Sequence, residues 1–484
     1  MSTVVIIATV LAYLLFMFMI AWMAGKNSDN SAFFTGARKS RWYVAALAMI
    51  GAPMSGVTFV SVPGMVSASG FGYLQMCLGF VAGYLVISFV LIPLFYKQNV
   101  VSIYQYLENR FGMSSYKTGA WFFFISKILG ASVRFFLVCL VFQMLIFDPL
   151  GIPFAVNVLL SVLVVFAYTF TGGVKTVIWT DSFRTLCMIL AVVLGIVFIA
   201  RNLSLDFGGL VASIKGSSMS RIFYFDDVNG SQYFWKQFLA GLFTAVAMTG
   251  LDQDMMQRPL SCKDPMESRK NMITSGVMQL FVVFLFLCLG VLLYQFAGAN
   301  GISDTGDKIF PAVATSGLLP GIVGILFIVG LVASAYGAGG SALTSLTTSF
   351  TVDILGAMRK GDASLTKTRK LVHVGMAVLM ALVIIIFNKL SNTSAINAVY
   401  TLASYTYGPI LGMFAFGLAC KRRVKDKLVP LVAIAAPALC LVLQLNSERW
   451  FGGYKFSYEI LLLNAVFVIA GLCLLIDRSN KDRV

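Results

Sequence analysis

The sequence predicts an all-α polytopic membrane protein of about 13 transmembrane helices, arranged as a 5+5 inverted repeat with one leading and two trailing helices. Three observations carry that prediction. The 484 residues are 59% hydrophobic and only 12% charged, with a mean hydropathy of +0.87, whereas soluble chains carry roughly 25% charged residues. Apolar runs recur at the length of about 20 residues that a bilayer core requires. Lys and Arg alternate loop by loop, 25 on one side against 8 on the other, with Lys127, Arg134 and Arg184 inside helices. That bias is topological, so the net charge of +16 reflects cytoplasmic loops and not a nucleic-acid partner.

The spans run over 4–25, 44–67, 71–96, 118–147, 152–171, 176–200, 233–257, 271–298, 320–350, 371–389, 395–419, 428–445 and 457–476. The first lacks a basic n-region and a small-residue cleavage site, so it reads as a retained helix and not a signal peptide. Placing the uncharged N-terminus outside puts the C-terminus in the cytoplasm, in a plasma (inner) membrane. Residues 1–43 then form the leading helix and a cytoplasmic loop, 44–201 the first five-helix repeat, 202–232 an extracellular loop, 233–419 the second repeat and 420–484 the trailing helices and tail. Five is odd, so the second group enters the membrane in the opposite sense to the first. The eight Cys are scattered without a CxxC and read as small core residues. No HExxH, nucleophile elbow or His-rich cluster suggests an enzyme. The oligomeric state is not legible.

The second span, Val44–Val66, holds Gly51, Pro53, Gly56, Pro63, Ser55 and Thr58. Pro53 has no N–H to give, so the helix should break and free carbonyls around Gly51 and Met54. Free carbonyls at membrane depth are tolerated where they line a cavity, and transporters use such breaks to bind ions and substrates. An ordinary proline kink is the plainer reading. Ser55 lies eleven residues into the span, roughly 16 Å deep, and shares a face with Thr58.

Arg134 lies sixteen residues into its span, where a buried Arg costs about 2.5–3.5 kcal/mol. It is either salt-bridged to a carboxylate on another helix or a bidentate clamp for a substrate carboxylate. Lys127, on roughly the same face, adds positive charge or snorkels toward the cytoplasm. Asp181 and Arg184 are three apart and can pair internally. Asp252 and Asp254 end the seventh span, where they can bind Arg110 or Lys175 across a gate or remain solvated. Tyr405 and Tyr407 can seal a cavity or simply pack. His373, the single His, reads as structural more readily than as a proton relay, and Phe122–Phe124 as lipid-facing or core packing.

Four ordered stretches resemble the sodium/solute symporter family: Tyr104–Gly112 (YQYLENRFG), Gly172–Arg184 (GGVKTVIWTDSFR), Asp252–Lys263 (DQDMMQRPLSCK) and Ser341–Ile354. The resemblance implies a leucine-transporter-like five-plus-five fold, alternating access, and sodium-driven uptake of sugars, amino acids, vitamins or anions. By position it implies that carbonyls of Gly51, Met54 and Ser334 hold sodium, and that Ser55 and Thr58 face the substrate, joined by Gln75. Arg134 combined with a Ser-x-x-Thr is similar to the sialic-acid branch. Asp181 with Ser341 matches a second sodium site found in some members.

One departure stands out. Residues 333–341 read ASAYGAGGS, so Gly337 and Ala338 replace the two hydroxyls that usually complete the primary sodium site, and Gly340 replaces a polar residue often part of the second. Sodium takes about five or six oxygens by hard-cation logic. Water can fill the gap, coupling can rest on Asp181 and Ser341, or sodium dependence can be lost. The resulting expectation is a sodium-coupled secondary transporter of a small, carboxylate-bearing organic anion such as sialic acid. The alternatives are a carrier of a neutral sugar, vitamin or inorganic anion, and a transport-inactive sensor of the same fold.

Overall fold

The computed structural model describes residues 3–25, 42–54, 56–98, 103–169, 174–356, 362–390 and 395–477. Among them the secondary structure is helical, apart from one isolated bridge between Val424 and Ile476. Among the described residues eight helices are long and apolar enough to cross a membrane, and three shorter ones, Val4–Met19, Phe154–Ala167 and Ile460–Leu474, are apolar. The protein is a multi-pass membrane protein.

The chain begins with α1 (Thr3–Gly25). The second span is interrupted as its Gly and Pro content predicts: α2 (Trp42–Gly51) and α3 (Gly56–Gly64) are separate, followed by the short α4 (Val66–Ser69). Then come α5 (Tyr73–Gln98), α6 (Gln105–Arg110), α7 (Met113–Phe147), α8 (Phe154–Thr169) and α9 (Val174–Asn202). The 202–232 connection contains α10 (Phe207–Gly216), whose start is capped by Asp206 accepting from the Gly209 N–H at 2.7 Å.

The predicted seventh span is not continuous. It consists of α11 (Phe234–Ala245), a wide turn Val246–Gly250, and α12 (Gln253–Leu260). Asp252 is extended and caps α12 by accepting from the Met255 N–H, so the chain stops and restarts there for the usual N-cap reason. The remaining helices are α13 (Pro265–Ala299), α14 (Ile309–Thr315), α15 (Gly321–Ser349), α16 (Asp362–Leu390), α17 (Ala395–Ala419), α18 (Val429–Trp450) and α19 (Ile460–Leu474).

Packing is close where glycine meets backbone. A Cβ on Gly79 of α5 would lie 2.1 Å from the Phe238 carbonyl oxygen, and one on Gly241 of α11 would lie 2.1 Å from that of Met76. Small residues let membrane helices approach this closely. The half-helix α3 is held by Phe59, fully buried against Phe286, Phe310 and Phe327 with ring centroids 5.3–5.8 Å apart. In α17, Pro409 cannot donate to the Tyr405 carbonyl four residues back. Asn464 of α19 does so instead, its Nδ2 donating to Tyr405 O at 3.0 Å and Ser404 O at 3.1 Å.

Candidate functional site

The break between α2 and α3 faces α9 and α15. Arg184, only 1% exposed, donates from Nη2 to the carbonyl oxygen of Gly51, and its Nη1 lies 3.3 Å from Asp181. The expected internal pair therefore forms, but its arginine also reaches across to the broken helix. Gly337 makes room for it: a Cβ there would fall 2.6 Å from Arg184 Nη1 and 3.1 Å from its Cδ. Gly51 itself lies against α9, where a Cβ would come within 2.0 Å of Thr185 Oγ1.

The other side of Asp181 is taken by Arg258 of α12, whose Nη2 and Nε lie 3.0 and 3.2 Å from Oδ2. The same Nη2 donates to Ser341 Oγ at 3.1 Å, and Ser341 donates to Asp254 at 2.8 Å. Lys127 stands 3.1 Å from Asp252 and 3.0 Å from Asp254. Tyr407 donates to Asp252 at 2.7 Å. Lys127 thus contributes no surplus positive charge, contrary to the sequence reading, because two buried carboxylates neutralise it. Asp252 and Asp254 are buried, not solvated, and their partners are Lys127 and Arg258. Arg110 goes elsewhere, to the carbonyls of Gly417, Cys420 and Arg422, and the Lys175 side chain lies outside the described residues. Such a cluster is worth keeping only when every charge is matched, since one orphaned charge costs several kcal/mol.

Arg134 is different. It is half-buried and lines both the cavity containing this cluster and a second one shared with Pro53, Thr58, Tyr73, Met248 and Tyr400. It makes no hydrogen bond or ion pair with any described residue. Thr58 is therefore brought together with Arg134, while Ser55 lies outside the described residues. Gln75 is not in that cavity: fully buried, it donates to Gly72 O and Gln232 O and accepts from the Tyr224 N–H, holding the 202–232 connection over the end of α5. His373 is satisfied between Thr169 at 3.1 Å and Thr347 at 2.8 Å, as a structural His should be. Phe123 and Phe124 are buried packing.

The residues assigned to sodium gather in two places. At the helix break, Gly51 O already accepts from Arg184, and Gly337 and Ala338 offer no hydroxyl, which leaves, of the described residues assigned to sodium there, the carbonyls of Met54 and Ser334. At the second place, Asp181 and Ser341 are bridged by Arg258. Neither donor set, as arranged, fits a cation wanting five or six oxygens.

A profile of the "Sodium:solute symporter family" matches residues 33–426. The chain is 26% identical over 432 residues to the sodium/sialic acid symporter NanT of Aliivibrio fischeri, covering 86% of this chain and 82% of that one. It is 24% identical over 410 residues to the human sodium/iodide cotransporter, covering 81% and 62%. Among solved structures, a Na+-coupled sialic acid symporter in a substrate-bound outward-open state is similar with a TM-score of 0.82 at 20% identity, covering 97% of each chain.

Proposed function

The chain belongs to the sodium:solute symporter family, a family of transporters and not of enzymes, and on that premise we propose that it carries a small carboxylate-bearing organic anion across the membrane by alternating access. An acidic sugar such as sialic acid is the first substrate to test, since proteins similar to this chain carry that name. The observation that supports this reading is the unpaired guanidinium of Arg134. Each other cation of the buried centre has a carboxylate partner. Arg134 has none among the described residues, and a planar guanidinium at the wall of a cavity is matched by a carboxylate bidentately. A neutral substrate would leave that charge without a counter-charge of its own.

In this reading Thr58 and Ser55 offer hydroxyls to the substrate from the broken helix, residues 44–201 and 233–419 form the inverted repeats, and the protein sits N-terminus outside and C-terminus inside in the plasma (inner) membrane. Support for the repeats comes from α2/α3 and α11/α12, the first spans of the two groups, both interrupted along their length. The test is counterflow: proteoliposomes preloaded with unlabelled N-acetylneuraminate should accumulate the labelled compound. Arg134→Ala should lower apparent affinity at least tenfold, the usual cost of removing one charge-assisted contact. Unchanged counterflow in Arg134→Ala would sink the clamp.

A further inference from the structure

We propose that Arg184 is a resident cation: its guanidinium holds the position at the helix break that a dissolved ion would otherwise take, and Arg258 holds the second position between Asp181 and Ser341, so that the protein binds its substrate without taking up sodium. The inference concerns the coupling ion of the transport proposed above, and its first test does not depend on which substrate is carried.

An interrupted membrane helix leaves carbonyl oxygens pointing into the protein, and something positive must answer them. Here the partner of Gly51 O is Arg184 Nη2. The glycine at 337 and the arginine at 184 are one arrangement and not two coincidences. Any side chain at 337 would place its Cβ 2.6 Å from Nη1, so the change that removes an oxygen ligand is also the change that admits the guanidinium. Arg184 is 1% exposed and fixed from behind by Asp181, so it has no aqueous position to retreat to.

Arg258 repeats the arrangement one layer away. A single nitrogen, Nη2, lies 3.0 Å from Asp181 and 3.1 Å from Ser341, the two side chains that would flank an ion there. The charges also close. Lys127, Arg184 and Arg258 balance Asp181, Asp252 and Asp254 through contacts of 3.0–3.7 Å. A sodium ion added to this neutral group would be an uncompensated charge in a buried site, beside the already unpaired Arg134.

The decisive measurement is thermal unfolding of the purified full-length protein in NaCl against choline chloride at equal ionic strength and constant pH. The wild type is expected to shift by less than about 1 °C, whereas an ion bound well above its dissociation constant would raise the midpoint by several degrees. A sodium-specific rise in the wild type overturns the proposal. The double variant Arg184→Ala/Gly337→Ser removes the guanidinium and returns a hydroxyl, and it is expected to gain a sodium-dependent rise that the wild type lacks. A folded double variant with no sodium response overturns the assignment of that position. In proteoliposomes, counterflow of labelled N-acetylneuraminate should keep its rate within about twofold when choline replaces sodium, and a tenfold loss overturns the proposal. Absence of counterflow in both salts counts against the substrate and leaves the thermal result to decide the ion.

Discussion

The hydroxyls of Tyr73 and Tyr400 lie 2.7 Å apart, joining the beginning of α5 to the beginning of α17 at the wall of the cavity they share with Thr58 and Arg134. Tyr73 also lines a second cleft beside Ser69, Gln232 and Tyr458, so one ring stands between the two spaces. Tyr400 is flanked by Phe80 and Tyr458 at centroid distances of 6.3 and 5.2 Å, which leaves packing intact when the hydroxyl is removed. Tyr400→Phe is expected to loosen this contact by about 1 kcal/mol and to speed release of labelled substrate roughly fivefold. Dissociation rates from reconstituted protein measure this directly. An unchanged rate would show that the pair is not a gate.

Lys127 bridges two carboxylates on the segment where α11 gives way to α12. Lys127→Met leaves Asp252 and Asp254 buried with one cation fewer, at an expected cost of about 3–5 kcal/mol. Adding Asp252→Asn should recover part of that loss, because the second change removes the charge that the first stranded. Unfolding midpoints of the two single variants and the double variant provide the test. Strict additivity would mean that the bridge contributes nothing.

Gly51 tests how tightly α2 is set against α9. Gly51→Ala places a methyl 2.0 Å from Thr185 Oγ1 and is expected to destabilise by about 1–3 kcal/mol through overpacking. Thr185→Ala in the same chain removes the obstructing oxygen and should restore most of the stability. If Gly51→Ala alone is as stable as wild type, the two helices are further apart than described.

Local rules explain what the sequence reveals. The break after Gly51 follows from proline and glycine chemistry, and the Asp181–Arg184 pair from the three-residue spacing of a helix. The interruption between α11 and α12 is also local, marked by Thr249-Gly250 and the capping Asp252, but a long apolar run conceals it. What could not be read are the partnerships between distant elements. Arg258 meets Asp181 across 77 positions and Lys127 meets Asp252 across 125, and nothing in the spacing of either residue names the other. For the same reason the glycine at 337 reads from sequence as a missing ligand, while in three dimensions it is the space into which Arg184 fits. Gln75 is a similar case: the family resemblance suggests a substrate contact, and its three backbone partners are known only once the 202–232 connection is in place.

The unmatched charge of Arg134 has an electrical consequence. With the other three central cations neutralised by three carboxylates, the empty centre carries one positive charge, and if the substrate is the monoanion proposed above, its binding cancels it. Membrane voltage then acts on the empty carrier and not on the loaded one, by up to about 2.3 kcal/mol per 100 mV if the site sweeps the whole field. A potential negative inside holds the vacant site facing inward, so the voltage-sensitive step is the return journey, and hyperpolarisation slows turnover.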